Sequence, residues 1–174
     1  MIIRKARWED LDRTERLYNE IHDAEAAGQL TTGWLRDVYP VRETAERALR
    51  RDDLFLLEDA QDLLGAAIIN QLQVDVYADA PWAHAAADRE VCVLHTLIIS
   101  PRAAKKGYGT QFVRFYEDYA RGHGCPELRM DTNARNLAAR RLYAGLGYRE
   151  IAIVPTVFNG IPGVDLVLLE KHLA

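Results

Sequence analysis

Six residues, Ala104-Lys105-Lys106-Gly107-Tyr108-Gly109, sit between an apolar run from Val91 to Ser100, closed by Pro101, and an amphipathic stretch that opens at about Thr110. A strand, a glycine-bearing loop and a helix N-terminus, in that order, make a cradle for phosphate. Loop N–H groups and the positive end of the helix dipole converge there on one point. Gly107 and Gly109 admit backbone conformations, and a close approach, that a Cβ would block. Lys105 and Lys106 add positive charge. The spacing of a Walker loop is absent. A dinucleotide fingerprint is absent too, because Gly107-Tyr108-Gly109 is followed by Thr110-Gln111-Phe112 and lacks the third glycine. Alone, the segment also reads as a turn whose lysines are merely solvated.

A second stretch lies about thirty residues on. Leu128 to Thr132 reads as a short strand, with Asn133 as a helix cap. Then come Asn136, Ala139, Tyr143 and Gly147. Asn136 and Tyr143 are seven apart, so they share one helix face roughly 10 Å apart along the axis. Gly147 supplies a left-handed stop.

Together the two stretches resemble the GNAT superfamily of N-acetyltransferases. The first resembles its acetyl-CoA pyrophosphate loop, Gln/Arg-x-x-Gly-x-Gly/Ala. The second resembles its Asn-x-x-Ala-x-x-x-Tyr-x-x-x-Gly-Phe/Tyr helix. The likeness covers about Val91 to Tyr148. One departure is that the usual Gln/Arg falls on Ala104, which removes a side-chain contact that Lys105 or Lys106 could replace.

The resemblance implies a co-substrate, acetyl-CoA, held at Ala104 to Thr110, Tyr108 included, with its pantetheine arm along the backbone of Leu97, Ile98 and Ile99. It implies a bond from Asn136 to that arm and a general-acid role for Tyr143. A phenol near pKa 10 is neutral at pH 7 and can hand a proton to a departing thiolate. An aromatic on a buried helix face and an Asn cap are the plain structural alternatives. For the base, Asp131 stands where some family members carry a glutamate, twelve residues before the tyrosine. An ordinary Asp is a weak base and would need burial or a relaying water. Glu90 and His95 are the other candidates, and His95 titrates in a suitable range. Strand alternation puts His95 on one face with Leu97 and Ile99, and Glu90 on the other. Trp82, His95 and Asp131 are the candidate acceptor contacts. Asp75, Asp79, Asp88 and Glu90 would make a mildly acidic mouth if their loop rims the site. The acceptor implied is a primary amine on a small molecule or peptide. No cysteine or serine is placed as a nucleophile, so direct transfer is expected. A non-catalytic acyl-CoA-binding or sensing domain is the alternative on the same fold.

The elements that must hold these residues follow from periodicity. Strands are expected at Ile2 to Ala6, Leu54 to Glu58, Leu63 to about Val74, Val91 to Ser100, Glu127 to Thr132, Arg149 to Val154 and Val164 to Glu170. Helices are expected at Trp8 to about Ala27, Thr32 to Arg51 with a break at Pro40, Thr110 to Arg121 and Ala134 to Gly145. Turns fall at Asp59 to Asp62 and Phe158 to Gly163, and Val76 to Arg89 is a long loop. The fold class is α/β (α+β), one domain over residues 1–174. Its mixed, mostly antiparallel sheet of about seven strands is flanked by about four helices and splayed between strands four and five.

Length and composition fit that reading. The chain has 174 residues and 49% hydrophobic residues, enough for a core. A net charge of −4 argues against nonspecific nucleic-acid binding. No stretch approaches the ~20 apolar residues of a membrane span. The first residues run straight into charge, unlike a signal peptide. Cys92 and Cys125, and the five histidines, show no metal-ligand spacing, so no metal is expected. A reducing cytoplasm is the expected compartment, and a homodimer is compatible with the reading.

Overall fold

The computed structural model describes residues 1–60 and 62–174. Among these, the strands are β1 (Ile2–Lys5), β2 (Leu54–Glu58), β3 (Leu63–Asn70), β4 (Val91–Ile99), β5 (Glu127–Asn133), β6 (Arg149–Phe158) and β7 (Ile161–His172). The helices are α1 (Leu11–Ala26), α2 (Arg42–Arg51), α3 (Tyr108–Gly122) and α4 (Leu137–Gly145). The strands form one sheet in the order β1-β2-β3-β4-β5-β7-β6. Every neighbouring pair is antiparallel except β4 and β5.

The apolar patterns explain the layers. β2 and β3 are buried on both faces, so they read as continuous apolar runs and carry helices on each side. One face packs Phe55, Leu57, Cys92 and Leu94 with Phe112, Val113 and Tyr116 of α3. The other packs Leu54, Leu56, Ile68 and Ile98 with Leu17, Tyr18 and Ile21 of α1 and with Ala45, Ala48 and Leu49 of α2.

The feature that opens a site is the β4–β5 junction. These strands pair only from Val91↔Glu127 to Leu94↔Met130. Beyond that, β4 stays with β3 as far as Ile99↔Gly65, while β5 stays with β7 as far as Asn133↔Leu166. The expected splay is therefore present, and the β4 edge past Leu94 faces a gap.

A bulge corrects one expectation about β4. Between the pairs Ile68↔His95 and Ala66↔Ile98, β4 has one residue more than β3. Thr96 lies in that span, with a left-handed φ of 51°. A bulge breaks the two-residue alternation. His95 thus lies with Ile68 and Ile98 toward α1 and α2, whereas Leu97 and Ile99 pack toward α3.

The helix expected from Thr32 shrinks to α2. Residues 32–40 form an irregular loop, with Gly33 at φ 74° and Asp37 at φ 62°. The Glu25 carboxylate takes the N–H groups of Thr32 (2.8 Å) and Gly33 (3.0 Å), and this pins the loop to α1. β3 stops at Asn70, whose Oδ1 accepts the N–H of Leu72 at 2.9 Å in a local turn. β6 and β7 run longer than expected. They meet at Asn159-Gly160, whose φ values of 51° and 77° suit a tight hairpin turn. Of the turn expected at Asp59 to Asp62, Gln61 lies outside the described residues. Among the described residues, no helix is long and apolar enough to cross a membrane.

Candidate active site

The phosphate loop is shaped by two left-handed residues. β4 ends where the Ser100 N–H bonds the Leu64 carbonyl at 2.8 Å, and one 3-10 turn follows over Pro101–Ala103. Lys105 and Gly107 then adopt φ values of 62° and 79°, and α3 opens at Tyr108, two residues earlier than expected. The N–H of Gln111 bonds the Gly107 carbonyl at 3.0 Å, closing the first helical turn. The N–H groups of Tyr108, Gly109 and Thr110 precede that bond and are the orphan donors of a helix start. The two glycines serve differently. A Cβ on Gly107 would meet nothing within 4 Å, so its requirement is the positive φ. A Cβ on Gly109 would lie 3.0 Å from Leu142 Cδ2, so its requirement is packing against α4. Ala104, Lys105 and Lys106 are exposed.

On α4, Asn136 is the N-cap. Its Oδ1 accepts the N–H of Ala139 at 3.2 Å, so the helix begins at Leu137 rather than Ala134. Asn133, the expected cap, ends β5 and accepts the Arg135 N–H at 3.0 Å instead. Asn136 still lines the cleft, with its amide NH₂ left to offer. Tyr143 follows on the same face, 6% exposed, edge-on to Tyr148 with ring centroids 6.1 Å apart. Burial, then the nearby charge of Asp131, pushes its phenol above the usual value, so it is neutral. Among the described residues no protein group bonds its hydroxyl, yet that oxygen is not sealed from the cleft.

Asp131 faces the same cleft from β5. Burial pushes its carboxyl up to about 6, opposed by a 2.7 Å hydrogen bond that Tyr77 Oη donates to Oδ2. The long loop thus reaches the site through Tyr77. Trp82 stands behind it: its Nε1 donates to the Tyr77 carbonyl at 2.9 Å and its ring meets Tyr77 edge-on at 5.1 Å. The Arg129 guanidinium covers the Trp82 ring at 4.2 Å. Trp82 does not line this cleft. Asp75, Asp79, Asp88 and Glu90 do not line this cleft, and Asp88 accepts a bond from Gln73 at 2.7 Å.

The other two base candidates are placed less favourably. His95 lines the cleft, but its Nε2 lies 3.0 Å from Asn70 Oδ1, and burial pushes the imidazole down to about 4. It is neutral throughout the physiological range, against the expectation that it titrates there. Glu90 precedes β4 at the end away from the splay. Its Oε2 accepts the Ala87 N–H at 2.8 Å, closing a 3-10 turn, so it lies outside the cleft.

Tyr39, Trp34 and Thr96 were missed by the sequence reading. Tyr39 Oη and Thr96 Oγ1 share a short hydrogen bond, and burial pushes the phenol up to about 12. Trp34 packs edge-on to Tyr39 at 5.9 Å. The available signal was two aromatics between Gly33 and Pro40, a loop composition that apolar periodicity disguised as helix. A cavity of about 110 Å³ lies between these side chains.

Comparison with known proteins agrees with this geometry. The sequence model of the acetyltransferase (GNAT) family matches residues 10–148. An aminoglycoside N(6′)-acetyltransferase type 1 of Serratia marcescens is 33% identical over 60 residues, 34% of this chain and 41% of that protein. Its namesake from Klebsiella aerogenes is 32% identical over 74 residues, 42% of this chain and 49% of that protein. Each match takes in less than half of the relative's own length. Among solved structures, a GNAT-family acetyltransferase from Streptococcus agalactiae has a TM-score of 0.79 at 23% identity, covering 99% of this chain and 95% of its own. A Salmonella typhimurium protein solved with its cofactor acetyl-CoA has a TM-score of 0.72 at 19% identity, covering 100% and 94%. A ribosomal-protein-alanine N-acetyltransferase from Brucella melitensis has a TM-score of 0.73 at 20% identity, covering 99% and 100%. At these identities the structures speak for the fold.

Proposed function

We propose that this chain, which belongs to the acetyltransferase (GNAT) family, transfers an acetyl group from acetyl-CoA directly to a primary amine of a small molecule or peptide. The observation that carries the reading is one cleft faced by both a free phenol, Tyr143, and a carboxyl raised to about 6, Asp131. Acetyl-CoA supplies the activated acetyl thioester. The N–H groups of Tyr108, Gly109 and Thr110 receive its pyrophosphate, with Lys105 and Lys106 adding charge. The open β4 edge over Leu97, Ile98 and Ile99 offers backbone groups to the arm, and Asn136 offers its amide.

Asp131 takes a proton from the acceptor's ammonium, directly or through one water. A carboxyl near 6 is a stronger base than an ordinary Asp and stays ionised above neutrality. The freed amine attacks the thioester carbonyl, the C–S bond breaks as Tyr143 gives the proton of its Oη to the leaving sulfur, and the second proton lost from the amine nitrogen restores the phenol. Direct transfer is supported by the thiols. Cys92 is 1% exposed in the core and burial pushes it up to about 12, so it is a poor nucleophile. The acceptor class is supported by the two curated relatives, whose shared name gives an aminoglycoside as the acceptor.

The test is thiol release from acetyl-CoA with polyamines, aminoglycosides, amino acids and peptide N-termini. Turnover with an amine and intersecting double-reciprocal plots are expected. Parallel plots would indicate an acetyl-enzyme. Reaction with hydroxyl or anionic acceptors alone would overturn the acceptor class. Acetyl-CoA binding without turnover on any acceptor would favour a sensing domain.

A further inference from the structure

At the end of the sheet opposite the cleft, three residues far apart in sequence come together. Glu127 and His172 are direct cross-strand partners in the β5–β7 ladder, so their Cβ atoms stand about 4.5–5.5 Å apart on one face. His84, from the loop before β4, lays its imidazole on that of His172, with centroids 4.8 Å and planes 23° apart. One ligand atom from each of the three lies within 4.8 Å of the other two. Glu127 is buried and the imidazoles are exposed. Its Oε1 lies 2.6 Å from His172 Nδ1.

We propose that His84, Glu127 and His172 form a binding site for one divalent transition-metal ion of the zinc class. Two imidazole nitrogens and one carboxylate oxygen are a borderline donor set. That set suits zinc and its neighbours and disfavours magnesium and calcium, which take oxygen ligands. Water completes the shell. Bonds of about 2.0–2.1 Å in a tetrahedron put ligand atoms about 3.4 Å apart. The longest separation, up to 4.8 Å, must then close by about 1.4 Å at most, while the 2.6 Å contact of Glu127 Oε1 with His172 Nδ1 must open by about 0.8 Å as the ion replaces that hydrogen bond, both within reach of rotation by two exposed imidazoles against a buried carboxylate. His84 is not on a free loop. The Ala83 N–H bonds Glu170 Oε2 at 3.0 Å, and Arg129 Nη2 donates to the His84 carbonyl at 3.4 Å. The backbone is therefore anchored on both sides of the ligand. Spacing along the chain conceals the site, and only the β5–β7 register assembles it. A bound ion would tie the loop that carries Tyr77 and Trp82 to the sheet end, so its first effect is on stability.

The test uses full-length protein without a histidine tag, stripped with a chelator, at pH 7.5. Zinc is titrated by calorimetry and in competition with a chromophoric chelator. One equivalent should bind and raise the melting temperature, as any native-state ligand does. His84→Ala and His172→Ala should each weaken binding by at least about tenfold. His123→Ala, at the far end of α3, should leave it unchanged, and magnesium should give no heat. Absence of one-equivalent binding in the unaltered protein, binding that survives His84→Ala, or equal loss in His123→Ala would each overturn the proposal. Both histidines are surface residues, so their variants should fold, and a circular dichroism spectrum matching the parent verifies it.

Discussion

Toward α3, the cleft offers a ligand mainly backbone: orphan N–H groups at Tyr108, Gly109 and Thr110 and the open edge of β4. Toward α4 and the loop of residues 32–40, it offers side chains: Tyr39, Asp131, Asn136 and Tyr143. The two halves should respond differently to change. A backbone cradle tolerates side-chain replacement, which is how Ala104 can stand where a Gln or Arg is usual. It fails when the conformation of the chain is altered. A side-chain wall holds its backbone through substitution and loses its chemistry one atom at a time.

The largest effect should come from the smallest deletion. Tyr143→Phe removes one oxygen that no group among the described residues bonds and keeps the ring against Tyr148. Turnover should fall about 10²-fold or more, the upper part of what a general acid contributes, while acetyl-CoA affinity holds. Equal losses of affinity and turnover would mean that the phenol binds rather than donates, and the two halves would no longer be distinct.

Asp131→Asn should come next, with turnover down about 10- to 100-fold. The parent rate should fall as pH drops below about 6, where the carboxyl protonates, and the variant should lack that limb. Stability moves the other way. The folded-state value is raised from 3.8 to about 6, so between these values the folded chain holds more protons than the unfolded chain. Stability therefore falls as pH rises through this window, and the loss is complete above about 6. Asp131→Asn, with no charge to bury, should melt no lower than the parent at pH 8. His95→Gln should change turnover little, because the imidazole is already neutral. A pH limb that disappears with His95→Gln and persists in Asp131→Asn would reverse the assignment.

What the sequence revealed follows the same division. Gly107 and Gly147 announce left-handed backbone and Gly109 a close approach by their type, and Asn136 and Tyr143 announce a face by their spacing. The loop, both C-terminal helices to within two or three residues of their starts, and the succession of strands and helices along the chain could therefore be read directly. The acceptor side could not, because its assembly depends on long-range terms. The carboxyl of Asp131 is raised by burial and partly lowered again by Tyr77, which comes from 54 residues away. His95 changes face through one extra residue at a bulge. Residues 32–40 follow the Glu25 carboxylate rather than their own helical pattern. Glu127 and His172 are neighbours only through strand register.

On the backbone side, Gly107→Ala should cost about 1–2 kcal/mol for a left-handed residue with a Cβ. That corresponds to roughly a 5- to 30-fold loss when divided between stability and acetyl-CoA affinity. Gly109→Ala presses on the flexible end of Leu142 and should cost less. Lys105→Ala and Lys106→Ala, both exposed, should cost no more than about 1 kcal/mol of affinity. Lysine variants that bind worse than Gly107→Ala would show that charge, not chain conformation, holds the phosphate.

The smallest effect on the cleft should be that of Trp82→Ala. The indole touches Tyr77 and Arg129 and reaches the site only through Tyr77. Its loss should lower stability, by ~2–3 kcal/mol for a half-buried ring against the 3–5 of a fully buried one. The acceptor's KM and acetyl-CoA affinity should stay within about twofold, since neither half of the cleft loses a contact. Tyr77 keeps its hydroxyl on Asp131, so the acidic limb of the rate profile should stay near pH 6. A raised acceptor KM with an unchanged melting temperature would return Trp82 to the acceptor wall and make the long loop part of the side-chain half.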